Sequence, residues 1–156
     1  MKYITLTISL IVLYSLCSCN KFSAGSYPYA KEYQCNTSAK YLVDDIVTIK
    51  INHPELNVFT PNEADSLYNI DNVAEPYFNY YFKLNINDTI AIVHCVVDTR
   101  FDNPALLLLN SVTYSKNLGN FKRINSGELS KEENDLIITA FERQVLKLSS
   151  LDYTSE

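Results

Sequence analysis

A chain of 156 residues with 47% hydrophobic and 20% charged side chains has the composition of one globular domain, not of a disordered or fibrous protein. A formal charge of −5 at pH 7, with no polybasic run and no arginine cluster, argues against nucleic acid and against docking on anionic lipid by charge alone. Twelve Tyr and no Trp make the aromatic usage one-sided.

Met1 and Lys2 open the chain with positive charge, and Ile4 to Leu16 is then mostly apolar. That stretch has the length of a signal-peptide core and falls short of the ~20 apolar residues needed to cross about 30 Å of hydrocarbon. It closes on Leu16-Cys17-Ser18-Cys19, an aliphatic residue, a small pair and a Cys. This run resembles the lipobox of bacterial lipoproteins. The resemblance implies that the Cys19 thiol carries a diacylglycerol and that a peptidase cuts just before it. Cys17 is a poor acceptor, because bulky Leu16 would then precede the cut. Residues 1–18 would be a lipoprotein signal peptide, 19–34 a lipidated tether and 35–156 a single domain. The protein would sit in the bacterial cell envelope outside the cytoplasm, on the outer membrane if the cell is Gram-negative. Two or three acyl chains, palmitate among them, anchor firmly at ~0.8 kcal/mol per buried CH2. An ordinary secretory signal or an uncleaved N-terminal anchor is the alternative.

Two further thiols remain, Cys35 and Cys95. An oxidising compartment permits a bridge between them, which would close a loop of about 60 residues and contribute about 4 kcal/mol; two buried free thiols are the alternative. The processed chain has no CxxC, so neither a thioredoxin-like site nor a cysteine zinc site is supported.

Asn36-Thr37-Ser38 offers N-caps, and Leu42, Ile46 and Ile49 follow at helical spacing. The spacing predicts an amphipathic helix that stops near Asn52-His53-Pro54, because the residue before proline avoids the α region. Asn57 to Thr60 reads as a short strand. Thr60-Pro61-Asn62-Glu63 has the form of a capping box opening a short helix through Leu67 and Tyr68, and residues 69–76 read as irregular. From Tyr77 to Asp98 the pattern is a hairpin. Phe78, Tyr80, Phe82, Leu84 and Ile86 alternate with polar residues, Asn87-Asp88 suits a two-residue turn, and Ala91, Val93, Cys95 and Val97 continue the same face. Pairing Ile86 with Thr89 sets Phe82 opposite Val93 and Tyr80 opposite Cys95, so one face collects the bulk. The other face, with Lys83, Ile90, Ile92 and His94, is mixed. Ala105 to Tyr114 reads as a third strand, with a helical start as the alternative. Residues 116–128 read as a loop or an irregular strand. Ser130-Lys131-Glu132-Glu133 is a capping box opening a last helix with Ile137, Phe141, Val145 and Leu148 on one stripe, helped by Leu136 and Ala140. The expected fold is α+β: a small antiparallel sheet, a hairpin plus a further strand, packed against N- and C-terminal helices.

Little of this carries chemistry. His53 at a helix end suits the carbonyl pole of the dipole. His94 lies mid-strand, and nothing gives the two histidines metal-ligand spacing. Asp98-Thr99-Arg100 reads first as an ion pair and only second as a site. Tyr77 and Tyr81, with Tyr68, could form a binding platform, though packing at the rim of a small sheet is the simpler account of them. There is no nucleophile elbow, zincin helix, P-loop or dinucleotide fingerprint. Asp65-Ser66-Leu67 and Asp88-Thr89-Ile90 resemble the Asp-[Ser/Thr]-apolar sequon that one group of Gram-negative bacteria glycosylates.

The sequence therefore favours a lipid-anchored envelope protein whose domain is non-catalytic and binds another protein or helps maintain the envelope. It implies no cofactor, no metal and no nucleic acid, and it implies a membrane held through the N-terminal lipid. The alternatives are an immunity-type protein that neutralises an envelope-acting toxin, and a hydrolase with its site near His94 and Asp98.

Overall fold

The computed structural model describes residues 27–58, 73–74, 76–115 and 118–155. Cys19 and the expected signal peptide, and the Thr60–Glu63 run with the short helix expected after it, lie outside the described residues.

The fold is α+β. Among the described residues the elements are β1 (Lys31–Cys35), α1 (Ala39–Asn52), β2 (Val73–Ala74), β3 (Tyr77–Ile86), β4 (Thr89–Asp102), β5 (Ala105–Thr113), β6 (Lys122–Arg123), α2 (Lys131–Gln144) and β7 (Tyr153–Ser155). Short 3-10 turns follow each helix, at Pro54–Leu56 and Leu146–Leu148. The sheet is antiparallel in the order β2-β3-β4-β5-β1-β7, and β6 pairs with β5 beyond the end of β1.

The hairpin has the register that the alternation predicts, with Ile86 opposite Thr89, Phe82 opposite Val93 and Tyr80 opposite Cys95. Its turn holds Asn87 and Asp88 at φ 48° and 63°, a left-handed pair that these short polar side chains tolerate. The side chains of Phe82, Leu84, Val93, Cys95, Leu107 and Leu109 are buried against Leu42 and Ile46 of α1 and Ile137 and Phe141 of α2. Both helices therefore cover one face of the sheet. Phe141 is the centre of that layer, with Tyr33 at 5.8 Å and Phe82 at 6.1 Å between ring centroids.

Each helix starts where its cap predicts. Ser38 accepts from the Tyr41 N–H, and Asp102 from β4 accepts from the Ala39 N–H at 3.0 Å. Ser130 and Glu133 close a reciprocal capping box. The outer edge of β3 is tied by side chains. The Gln144 amide accepts from the Asn85 N–H and donates to its carbonyl, while Lys50 donates to the Tyr81 carbonyl. Such capping withholds an edge from pairing with another chain.

Five expectations change, the first being that Val73 and Ala74, within a stretch read as irregular, pair with Phe78 and Tyr77 as β2. Residues 31–34 are not tether: they belong to β1, an interior strand between β5 and β7, because Tyr33 and Cys35 alternate with Glu32 and Gln34 and bury the first pair. The sheet is accordingly larger than a hairpin plus one strand. Leu136 and Leu148 are exposed, whereas Ile137, Ala140, Phe141 and Val145 are buried in the core. Asn57 and Val58 are not strand; residues 59–60 lie outside the described set.

Cys35 and Cys95 are both buried and not joined. Through β5 between them, Cys35 lies opposite Ala105 and Cys95 opposite Leu109. Four residues along a strand and two strand spacings across put their Cα atoms about 16 Å apart, against a disulfide limit of about 7 Å. Burial, then Asp45 and Asp152, push the Cys35 thiol upward, away from reactive thiolate.

Candidate functional site

The face of the sheet opposite the helices is where the sequence places most of its candidate residues. Val96, Leu106 and Leu108 form a small apolar cluster there, with Tyr27, Ala30, Tyr77 and Phe101 packed onto it. The N-terminal segment reaches this face through a turn at Tyr27-Pro28-Tyr29-Ala30, closed by the Ala30 N–H on the Tyr27 carbonyl at 3.1 Å.

His94 sits beside that cluster. The β4–β5 register shifts between His94 and Cys95, so that Cys95 faces Leu109 and His94 faces Ser111, with Asn110 as the extra residue. A bulge of this kind re-aims a side chain. Here the Asn110 Nδ2 donates to His94 Nδ1 at 3.1 Å, while His94 Nε2 donates to Asn79 Oδ1 at 2.8 Å. One ring nitrogen accepts and the other donates, which specifies the neutral imidazole with its proton on Nε2. Tyr81 stacks on the ring at 4.8 Å and 19°, and Phe121 and Tyr27 meet it edge-on at 6.4 and 6.5 Å. Burial among these rings lowers the imidazole pKa to about 4. His94 is therefore a neutral, fully engaged side chain.

Asp98 is completely buried. Arg100, two residues on along the same face of β4, donates Nε to Oδ1 at 2.9 Å and Nη2 to Oδ2 at 2.6 Å, and its own backbone N–H adds a third bond. The guanidinium also lies 4.9 Å from the Tyr77 ring centroid and 5.8 Å from that of Phe101. This fork-to-carboxylate pair matches the ion-pair expectation. Four residues of strand separate Asp98 from His94, about 13 Å. The two do not converge on one reacting atom, which counts against a hydrolase built on them.

Tyr77 and Tyr81 are both half-buried and engaged. Tyr77 lies under Arg100 and meets Tyr27 at 5.5 Å in a T-shaped pair, and Tyr81 carries His94. They make up the packed layer of this face and do not stand out as a bare platform. His53 is remote from all of them, paired with exposed Glu55 at 3.1 Å past the end of α1. Asp88 and Thr89 are exposed at the hairpin tip, while residues 65–67 lie outside the described set.

The chain also offers a surface that the sequence did not indicate. A groove of about 530 Å³ runs along α1 against the segment that follows α2. Tyr41, Asp44, Thr48 and His53 line one side, and Leu148 and Ser150 the other. Asp45 makes its floor by accepting from the hydroxyls of Ser149 and Ser150 and from the Ser150 N–H. No Lys or Arg is among its described lining residues, so the groove is acidic and part apolar. It joins positions more than a hundred residues apart, which is why no local motif marks it.

Among the described residues no three His, Cys, Asp or Glu side chains gather to hold a metal, and no helix is long and apolar enough to cross a membrane. No protein-family model, no curated protein and no solved structure matches this chain.

Proposed function

We propose that this protein is a lipid-anchored envelope lipoprotein whose domain binds a partner protein through the acidic groove beside α1. One observation carries the choice of surface: the polar groups on the sheet face are satisfied internally, whereas the groove presents Asp44 and exposed Tyr41 and Leu148 together. Its chemistry suits a protein segment combining a basic residue with apolar side chains, because such a segment meets both carboxylate and apolar wall. Leu16-Cys17-Ser18-Cys19 supports the anchor.

Two measurements test the two halves. Cys19→Ala is expected to accumulate as an unprocessed precursor that takes up no labelled palmitate; normal labelling would discard the lipoprotein assignment. For the groove, cross-linked envelope is solubilised and partners are captured on the wild type, on Tyr41→Ala/Asp44→Lys and on Tyr77→Ala/Tyr81→Ala, each first shown to fold by circular dichroism. A partner captured by the wild type is expected to be lost on the groove variant. Its retention there, with loss on the tyrosine variant, would move the binding surface to the sheet face.

A further inference from the structure

We infer that the helix-free face of the sheet is the side this protein turns toward the lipid surface, so that the groove beside α1 looks away from the membrane. The inference rests on the lipid-anchor reading and adds an orientation to it.

The first reason is reach. Only eight residue steps lie between Cys19 and Tyr27, and eight residues fully extended span at most about 28 Å. Tyr27 is fixed on the outer sheet face by its ring contacts with Tyr77 and His94, and by its place against Val96, Leu106 and Leu108. A lipid at Cys19 therefore enters the bilayer within about 28 Å of Tyr27 on this face. To bring the helices to the membrane instead, the same residues would have to cross about two strand spacings and then the thickness of sheet and helix together. That path is about 30 Å, which leaves no slack.

The second reason is the chemistry of the two sides. Around the sheet face stand Tyr29, Ile90, Phe101 and Phe121, the first two exposed and the others half-exposed. Arg123 lies over the Tyr29 ring at 5.2 Å and Arg100 lies over Tyr77 and Phe101. Each of these arginines is matched by an acid, Glu128 and Asp98, and Lys83 and Glu32 on the same face offset each other, so the face is close to charge-neutral. Aromatic rings with arginine beside them are what a headgroup layer accommodates. The helical side is different: α2 carries four acids against two bases, and in α1 Asp44 and Asp45 are balanced by Lys40 and Lys50, so the two helices together are net acidic. An anionic bilayer repels that side, so charge and reach select the same orientation.

The absence of Trp from the chain supplies a clean test. Tyr29→Trp reports on the sheet face and Tyr41→Trp on the helical side; both positions are exposed, so both variants are expected to fold. Each acylated, full-length protein is reconstituted into vesicles of phosphatidylcholine brominated along its acyl chains, and emission is compared with unbrominated vesicles. Acylation of Cys19 is read on the same preparation by mass spectrometry. Tyr29→Trp is expected to lose emission and shift to the blue, and Tyr41→Trp to do neither. Equal quenching of both, quenching of Tyr41→Trp alone, or quenching of neither, on protein that carries the acyl groups, overturns the orientation and leaves the anchor standing. An unmodified Cys19 thiol overturns the anchor, and the orientation with it.

Discussion

Protonating His94 would set a hydrogen on Nδ1 against the Asn110 amide group that already donates to it, in a site where burial itself holds the imidazole pKa near 4. The folded-state value lies below the ordinary 6.5, so between the two the unfolded chain binds more protons and stability falls with falling pH. The contribution is present above pH 6.5, declines from there to pH 4, and amounts to about 3 kcal/mol across that window. Urea melts at pH 7 and pH 4.5 are expected to show a loss for the wild type that is smaller in His94→Gln; equal losses would mean that the ring is not held neutral. The same pairing explains why this histidine makes a poor general base. Its isolation was legible in the sequence, but its partners were not, because Asn110 reaches the ring only through a bulge in a strand whose neighbour is set by tertiary pairing.

At the level of elements, the hairpin shows how far local pattern reaches. A period-2 alternation, a left-handed two-residue turn and one bulky face admit a single register, because a slip of one residue would turn every core side chain to the other face. Phe82 is fully buried and Lys83, beside it, is half-exposed on the opposite face. Phe82→Ala is expected to cost about 3–5 kcal/mol, and Lys83→Ala to stay within about 0.5 kcal/mol; denaturant midpoints that move together would contradict the observed faces. The starts of the two described helices were equally legible, since side-chain caps act within four residues. The end of the last stripe was not. Leu136 and Leu148 have the right composition, but Leu136 lies about 100° around α2 from Ile137, and α2 gives way to a 3-10 turn at Leu146 before Leu148, so both leave the buried arc.

For the whole molecule, the two thiols make the simplest check. Separated by two strand spacings and four residues of strand, Cys35 and Cys95 are expected to titrate as two thiols after denaturation in urea, and thermal midpoints with and without dithiothreitol are expected to coincide. A reductant-dependent fall in the midpoint would require a different strand order.

The sequence by itself determined what acts over short range: the helix caps, the hairpin and its register, the α+β class, and the lipobox resemblance that Cys19 carries. Those features depend on residues within a few positions of one another, where spacing alone decides which groups meet. Only the tertiary structure decided that residues 31–35 and 153–155 complete the sheet, that Cys35 and Cys95 lie too far apart to bond, that His94 is held between Asn79 and Asn110, and that α1 and the segment after α2 enclose a groove. Each joins parts of the chain brought together by burial of a shared core, and burial rewards any apolar partner of suitable size. Composition and spacing therefore could not name the partner in advance.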